Sequence, residues 1–183
     1  VQTCALPIFG TDVLEALASS PLRESIDWEG VDIWWGDERY LAAGDPDRNE
    51  TQARAALLDH VPILAEHVHP ILGPDATADA EAAAADYAQA LASSARSEDH
   101  AAVPSFDVLL LSIGPDGHIA SLFPEYPALK DQRTVVSVHG SPKPPPTRVT
   151  LTFDAINAAR EVWIMAAGSE KAQAVQLALA GGA

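Results

Sequence analysis

The chain has 183 residues, 48% of them hydrophobic, with a formal net charge of −15, which suits one globular domain of ordinary size. So acidic a chain repels nucleic acid and anionic membrane, so neither is an expected partner. No stretch reaches the roughly 18 apolar residues of a membrane span, and no basic-then-apolar signal segment opens the chain, so a cytoplasmic protein is expected.

Residues 1–8, Val-Gln-Thr-Cys-Ala-Leu-Pro-Ile, match the translation of the end of a widely used sequencing adapter and are set apart from the fold as a fused artefact. The single cysteine, Cys4, can form neither an internal disulfide nor a metal cage. Thr11 is expected to cap a helix through Leu14, Ala16, Leu17 and Ala18 that ends near Ser19-Ser20-Pro21. The β-branched and aromatic run Val31-Asp32-Ile33-Trp34-Trp35-Gly36 predicts a strand, with Asp37-Glu38-Arg39-Tyr40 at its end. After a loop from Ala42 to Arg48, Asn49 is expected to cap a helix with Ala53, Ala56, Leu57 and Leu58 turned inward. Val68 to Ile71 is a short extended piece, Ala76 to Ala95 an alanine-rich helix, and Ser97 to Ser105 a linker.

The apolar run Phe106 to Ile113 predicts a second buried strand, and it delivers the loop Gly114-Pro115-Asp116-Gly117-His118. Thr134 to Val138 and Arg148 to Thr152 predict further strands, joined by the stiff proline-rich connection Ser141 to Pro146. A short helix is expected over Asp154–Ala159, a buried strand over Val162–Ala167, and a last helix from Gly168-Ser169 through Leu179. Strand and helix alternate, so the expected fold is α/β, a mostly parallel, Rossmann-like sheet with helices on both faces.

In open parallel sheets, sites gather at the carboxyl ends of strands. Three segments place polar groups there: Gly36 to Arg39, Gly114 to His118, and Gly168 to Lys171. Gly-Pro-Asp-Gly alone is usually only a turn, and a lone exposed histidine is more often inert than catalytic. Jointly the segments supply acids, one base of near-neutral pKa and separate cations, which suits hydrolysis or proton transfer on a phosphorylated substrate. Only 11 residues are Lys or Arg, so those flanking a candidate loop are informative.

Trp34 to Arg39, Asp47-Arg48-Asn49, Gly114 to Pro124, Ser141 to Thr152 and Gly168 to Ala172, in that order, resemble the 6-phosphogluconolactonase family. The resemblance implies the sugar-phosphate isomerase/deaminase type of fold and a carboxylic ester hydrolase acting on 6-phospho-D-glucono-1,5-lactone. No metal is expected with it, and the chain is taken to need no cofactor and to act as a monomer. Matched to the family's motifs, His118 is the expected general base and Asp116 its orienter. Asp37, Gly114 and Gly117 are expected to bind substrate, Arg39 and Arg48 to face the sugar hydroxyls, the carbonyl oxygen or the phosphate, and Arg148 and Lys171 to hold the phosphate.

The rival is the deaminase branch of the same fold, an aldose–ketose isomerase. It carries a glutamate before the proline that ends the histidine loop, whereas this chain has Phe123 before Pro124, which cannot relay a proton. The family commonly has glycine where Ser112 stands and Gly-His where Glu125-Tyr126 stands. Related chains open with a strand and a Thr-Gly-Gly-Ser-type phosphate loop and continue past Gly181-Gly182. One domain over residues 9–183, incomplete at both ends, is therefore expected. An inactive truncated fragment and a sugar-phosphate-binding protein remain as alternatives.

Overall fold

The computed structural model describes residues 2–5, 9–97, 99 and 102–181, with backbone only for residues 2–5 and Phe9. Residues 1 and 6–8 of the amino-terminal octapeptide, three positions of the Ser97–Ser105 linker, and Gly182 and Ala183 lie outside the described residues.

Eight strands and five helices organise the described residues. Strand β1 (Gln2–Ala5) lies parallel to β2 (Asp32–Trp35), paired from Gln2↔Asp32 to Ala5↔Trp35. Residues 2–5, set apart on sequence grounds, thus form an end strand of this sheet. On its other edge β2 pairs in parallel with β4 (Val68–His69). Ile33, Trp34 and Trp35 are all buried, which is why this run does not alternate apolar with polar residues. Strand β5 (Leu109–Ser112) pairs in parallel with β8 (Val162–Met165), and β1 lies against β5, so the two parallel pieces adjoin.

A third sheet is antiparallel. Strand β3 (Asp37–Arg39) pairs with β7 (Arg148–Leu151), which pairs in turn with β6 (Val135–Val138). The chain bends at Gly36, whose carbonyl accepts the Leu151 N–H at 2.8 Å. The bend carries the strand ending in Trp35 from the parallel sheet into the antiparallel one. Parallel order dominates the core as expected, and the antiparallel unit follows from the short proline-rich connection. That link reaches an antiparallel neighbour but is too short for the helical crossover a parallel one needs.

Helix α1 (Phe9–Ser19) packs on α2 (Asn49–Ala56), and α3 (Ala80–Ser94) packs on β6 and β7. Tyr87 of α3 ties that helix to the end of β2, its hydroxyl accepting from the Trp35 N–H at 2.7 Å and donating to the Trp35 carbonyl at 3.1 Å. Helix α4 (Phe153–Asn157) follows β7, and α5 (Ala172–Leu179) follows a single 3-10 turn at Ser169–Lys171.

Several local expectations are corrected. Thr11 is the third residue of α1 rather than its cap. Arg48, not Asn49, occupies the cap position of α2. The α3 helix begins at Ala80, four residues later than expected, because Asp79 caps it by accepting from the Ala82 N–H. The β8 run was expected to be buried, yet Trp163 is 52% exposed and Val162 and Ile164 lie open beside it. Among the described strands β8 pairs with β5 alone. An apolar run records hydrophobicity, not whether a neighbouring element covers it. No helix of the described residues is long and apolar enough to cross a membrane.

Candidate active site

Strand β5 ends at Ser112, and the next residues fold back in a tight loop. The Gly117 N–H donates to the Gly114 carbonyl at 3.0 Å, and the Gly114 N–H to the His118 carbonyl at 2.8 Å. Pro115 sits at the second turn position, where its fixed φ is favourable, and Gly117 takes the left-handed φ of +87° that completes the reversal. Gly114 meets a different demand. A Cβ there would overlap the His118 imidazole, so only glycine lets the ring lie across the backbone.

This fold-back places His118 Nδ1 2.5 Å from Asp116 Oδ1. The ring rests on Phe123, with centroids 4.6 Å apart. Burial holds the His118 pKa below its ordinary value, with Lys143 acting in the same direction and Asp116 and Asp37 opposing it. Burial pushes the Asp116 carboxyl up, but the hydrogen bond with His118, the ring's charge and Lys143 bring it below the usual range. A neutral imidazole beside an ionised carboxylate is the arrangement a general base needs.

The two acids after Gly36 do separate jobs. Asp37 faces the loop, accepting from the Ser121 hydroxyl at 2.7 Å, with an Arg148 Nη1 3.8 Å away. Asn49 Nδ2 donates to the Asp37 carbonyl at 2.8 Å. Glu38 is turned into the core, 1% exposed. Its carboxylate accepts the N–H groups of Arg39, Asn49 and Glu50, each at 2.8 Å. It thereby satisfies orphan donors at the start of α2 from outside that helix. Burial pushes Glu38 up to about 7, against Arg48 and these three N–H groups, all of which favour the ionised form.

Arg48 departs from the sequence expectation. It is 1% exposed, and its guanidinium donates to the carbonyls of Leu41 and Ile71 and to Glu50, at 2.8, 2.6 and 3.0 Å. Those partners turn it away from the substrate-facing position expected of it, and it does not line the cavity. It locks the loop before α2 instead. Gly117 is also absent from the cavity wall. It shapes the turn.

Asp116 also lies off the cavity wall, holding the His118 ring by its Nδ1, and the other candidates converge. A cavity of about 530 Å³ is lined by Asp37, Arg39, Gly114, His118, Arg148 and Lys171 together with Asp12, Asn49, Lys143 and Glu170. Lys171 Nζ donates to the Ser112 hydroxyl at 2.9 Å, joining the start of the last helical segment to the end of β5. Arg148 is mostly buried, and burial holds its pKa below the ordinary value, helped by Arg39 and opposed by Asp37 and Glu38. Sequence reasoning passed over Asn49 and Lys143 as site residues. The available signal for Lys143 was its place as the one charged residue in the Ser141–Pro146 stretch. Among the described residues, no group of three or more His, Cys, Asp or Glu side chains could hold a metal ion.

Residues 9–183 match the family described as glucosamine-6-phosphate isomerases/6-phosphogluconolactonase. The chain is 59% identical over 175 residues to 6-phosphogluconolactonase of Streptomyces coelicolor, covering 94% of this chain and 67% of that protein. It is 51% identical over 165 residues to the protein of the same name from Mycobacterium tuberculosis, covering 88% of this chain and 66% of the relative. The solved 6-phosphogluconolactonase of Trypanosoma brucei superposes with a TM-score of 0.82 at 32% identity, covering 100% of this chain and 75% of that one. The chain thus spans about two thirds of the length of the curated relatives it matches. With residues 9–183 matching the family and a relative 59% identical over 175 residues, the chain belongs to the glucosamine-6-phosphate isomerase/6-phosphogluconolactonase family.

Proposed function

We propose that this chain hydrolyses 6-phospho-D-glucono-1,5-lactone to 6-phospho-D-gluconate, the second step of the oxidative pentose phosphate pathway. The observation that carries the reading is His118 on the cavity wall with Nδ1 engaged by Asp116. That hydrogen bond puts the ring proton on Nδ1 and leaves the Nε2 lone pair for water. The water oxygen attacks the lactone carbonyl as Nε2 takes its proton. Collapse of the tetrahedral intermediate breaks the bond to the ring oxygen, which leaves as an alcohol after receiving that proton. Placing such a base is worth roughly a hundred- to ten-thousand-fold in rate. Arg39 and Lys171 supply charge-assisted contacts for the carbonyl oxygen and the phosphate, and Arg148 adds to the local positive field. The same reading has the chain working as a monomer in the cytoplasm without nucleic acid, in keeping with its net charge of −15.

The isomerase alternative needs a proton relay where Phe123 stands. Phe123 is buried beneath His118 and has no exchangeable proton. Both substrates offered to the purified chain decide the matter. The expected result is lactone loss above the spontaneous rate, with no ammonia from glucosamine 6-phosphate. Ammonia release without lactone hydrolysis would overturn the proposal.

A further inference from the structure

Lys143 stands on the proline-rich segment, not on the histidine loop, yet its Nζ lies 3.4 Å from Asp116 Oδ1 and 3.4 Å from His118 Nδ1. The segment that presents it is held closed. The Ser141 N–H donates to the Pro146 carbonyl at 2.9 Å, and the Lys143 N–H to the Ser141 hydroxyl at 3.3 Å. Arg148 then braces it from the neighbouring strand. Its Nε donates to the Pro145 carbonyl at 3.1 Å, and its Nη2 to the Lys143 and Pro144 carbonyls at 3.2 and 3.1 Å. These bonds commit most of the Arg148 donors to the loop. Its expected part in holding phosphate is correspondingly reduced.

We propose that Lys143 is a positioning residue of this site: its ammonium, held in place by the Arg148-braced loop, shares Asp116 Oδ1 with the imidazole and keeps His118 neutral and able to accept a proton. Protonating the ring would set two positive charges side by side. Without the lysine the anions have the ring to themselves. The charged groups facing His118 are Asp116 from its own loop, Asp37 from β3 and Lys143 from the proline-rich segment. Phe123 beneath the ring carries no charge, and Arg148 lies on that phenyl ring, 5.9 Å from its centroid. Lys143 is the cation nearest the imidazole, while both carboxylates favour the protonated ring.

The catalytic consequence rests on His118 being the general base, but the effect can be read without substrate. The test is an NMR titration of the His118 ring in the parent chain and in Lys143→Met, Lys143→Gln and Lys143→Arg. The His118 resonance is assigned by its loss in His118→Gln. Lys143 is partly exposed, so thermal melts should show all three Lys143 variants folded. The expected result is an upward shift of the His118 titration in the Met and Gln variants and a return toward the parent in the Arg variant. The acid limb of the lactonase pH–rate profile should move up with it. An unchanged or lowered titration in both neutral variants overturns the proposal, as does an equal shift in Lys143→Arg. Neither outcome depends on whether the chain turns over the lactone, so the two readings fail separately.

Discussion

At the scale of single residues, the site turns on what surrounds one imidazole. His118→Ala removes the group proposed to take the water proton. Turnover should fall by about a hundredfold or more with little change in KM, as for an interaction made in the transition state. Initial rates corrected for spontaneous lactone hydrolysis check this, and unchanged turnover would return the histidine to an inert turn. Because the His118 pKa lies below its ordinary value of 6.5, the ring is neutral at neutral pH. Turnover should therefore be flat around neutrality and be lost as pH falls through the ring's lowered value. Gly114→Ala tests the packing of the ring. Its Cβ would overlap the imidazole, so the ring must move off Asp116. We expect turnover to drop as severely as in His118→Ala while the melting temperature changes far less.

At the scale of elements, two short connections hold the cavity in shape. The first is the turn after the histidine loop, where the Tyr126 N–H donates to the Phe123 carbonyl at 3.1 Å. Pro124 takes its second position and Glu125 its third, with a left-handed φ of +65°. That is the type II pattern, which favours glycine at the third position. It gives a physical reason for the glycine that the family resemblance leads one to expect at this point. Relief of a left-handed strain of about 1–2 kcal/mol outweighs the added backbone entropy of glycine, about 0.5–1 kcal/mol. Glu125→Gly should accordingly stabilise the chain by up to about 1 kcal/mol in denaturant melts, and destabilisation would refute the turn assignment. The second connection is the loop before α2, locked by Arg48. Arg48→Met leaves two carbonyls, Glu50 and the buried Glu38 without their cation. Breaking such a buried network costs about 3–5 kcal/mol. Because Arg48 does not reach the cavity, whatever folded fraction remains should bind substrate with an unchanged KM. A raised KM at full stability would restore Arg48 to the substrate-facing role.

At the scale of the whole molecule, the charge distribution is divided. The chain carries a formal net charge of −15, yet Arg39, Lys143, Arg148 and Lys171 gather on one cavity wall. Self-repulsion of the acidic surface destabilises the compact state. The Debye length shortens from about 30 Å at 0.01 M salt to about 8 Å at 0.15 M. Raising potassium chloride over that range should therefore raise the melting temperature. The same change should weaken attraction of a dianionic substrate to the cavity and raise KM. A melting temperature that falls with salt would show that local ion pairs outweigh the net repulsion.

The sequence by itself determined the α/β class, the strands that form the core and the loop that presents His118. These rest on local patterns: apolar runs that cannot be solvated, and proline and glycine at turn positions few other residues can fill. It also marked Asp37, Arg39, Gly114, Arg148 and Lys171, which do meet at one cavity. Only the tertiary structure decided where each charge points. Arg39 and Arg48 lie near each other in sequence, but Arg39 lines the cavity while Arg48 is spent on the carbonyls of Leu41 and Ile71. Lys143 lies far from His118 along the chain and beside it in space. Likewise, Trp163 and Trp34 sit in equally apolar runs, but one is 52% exposed and the other fully buried. In each case a side chain's role depends on which distant backbone or ring comes to face it, and a linear pattern carries no record of that neighbour.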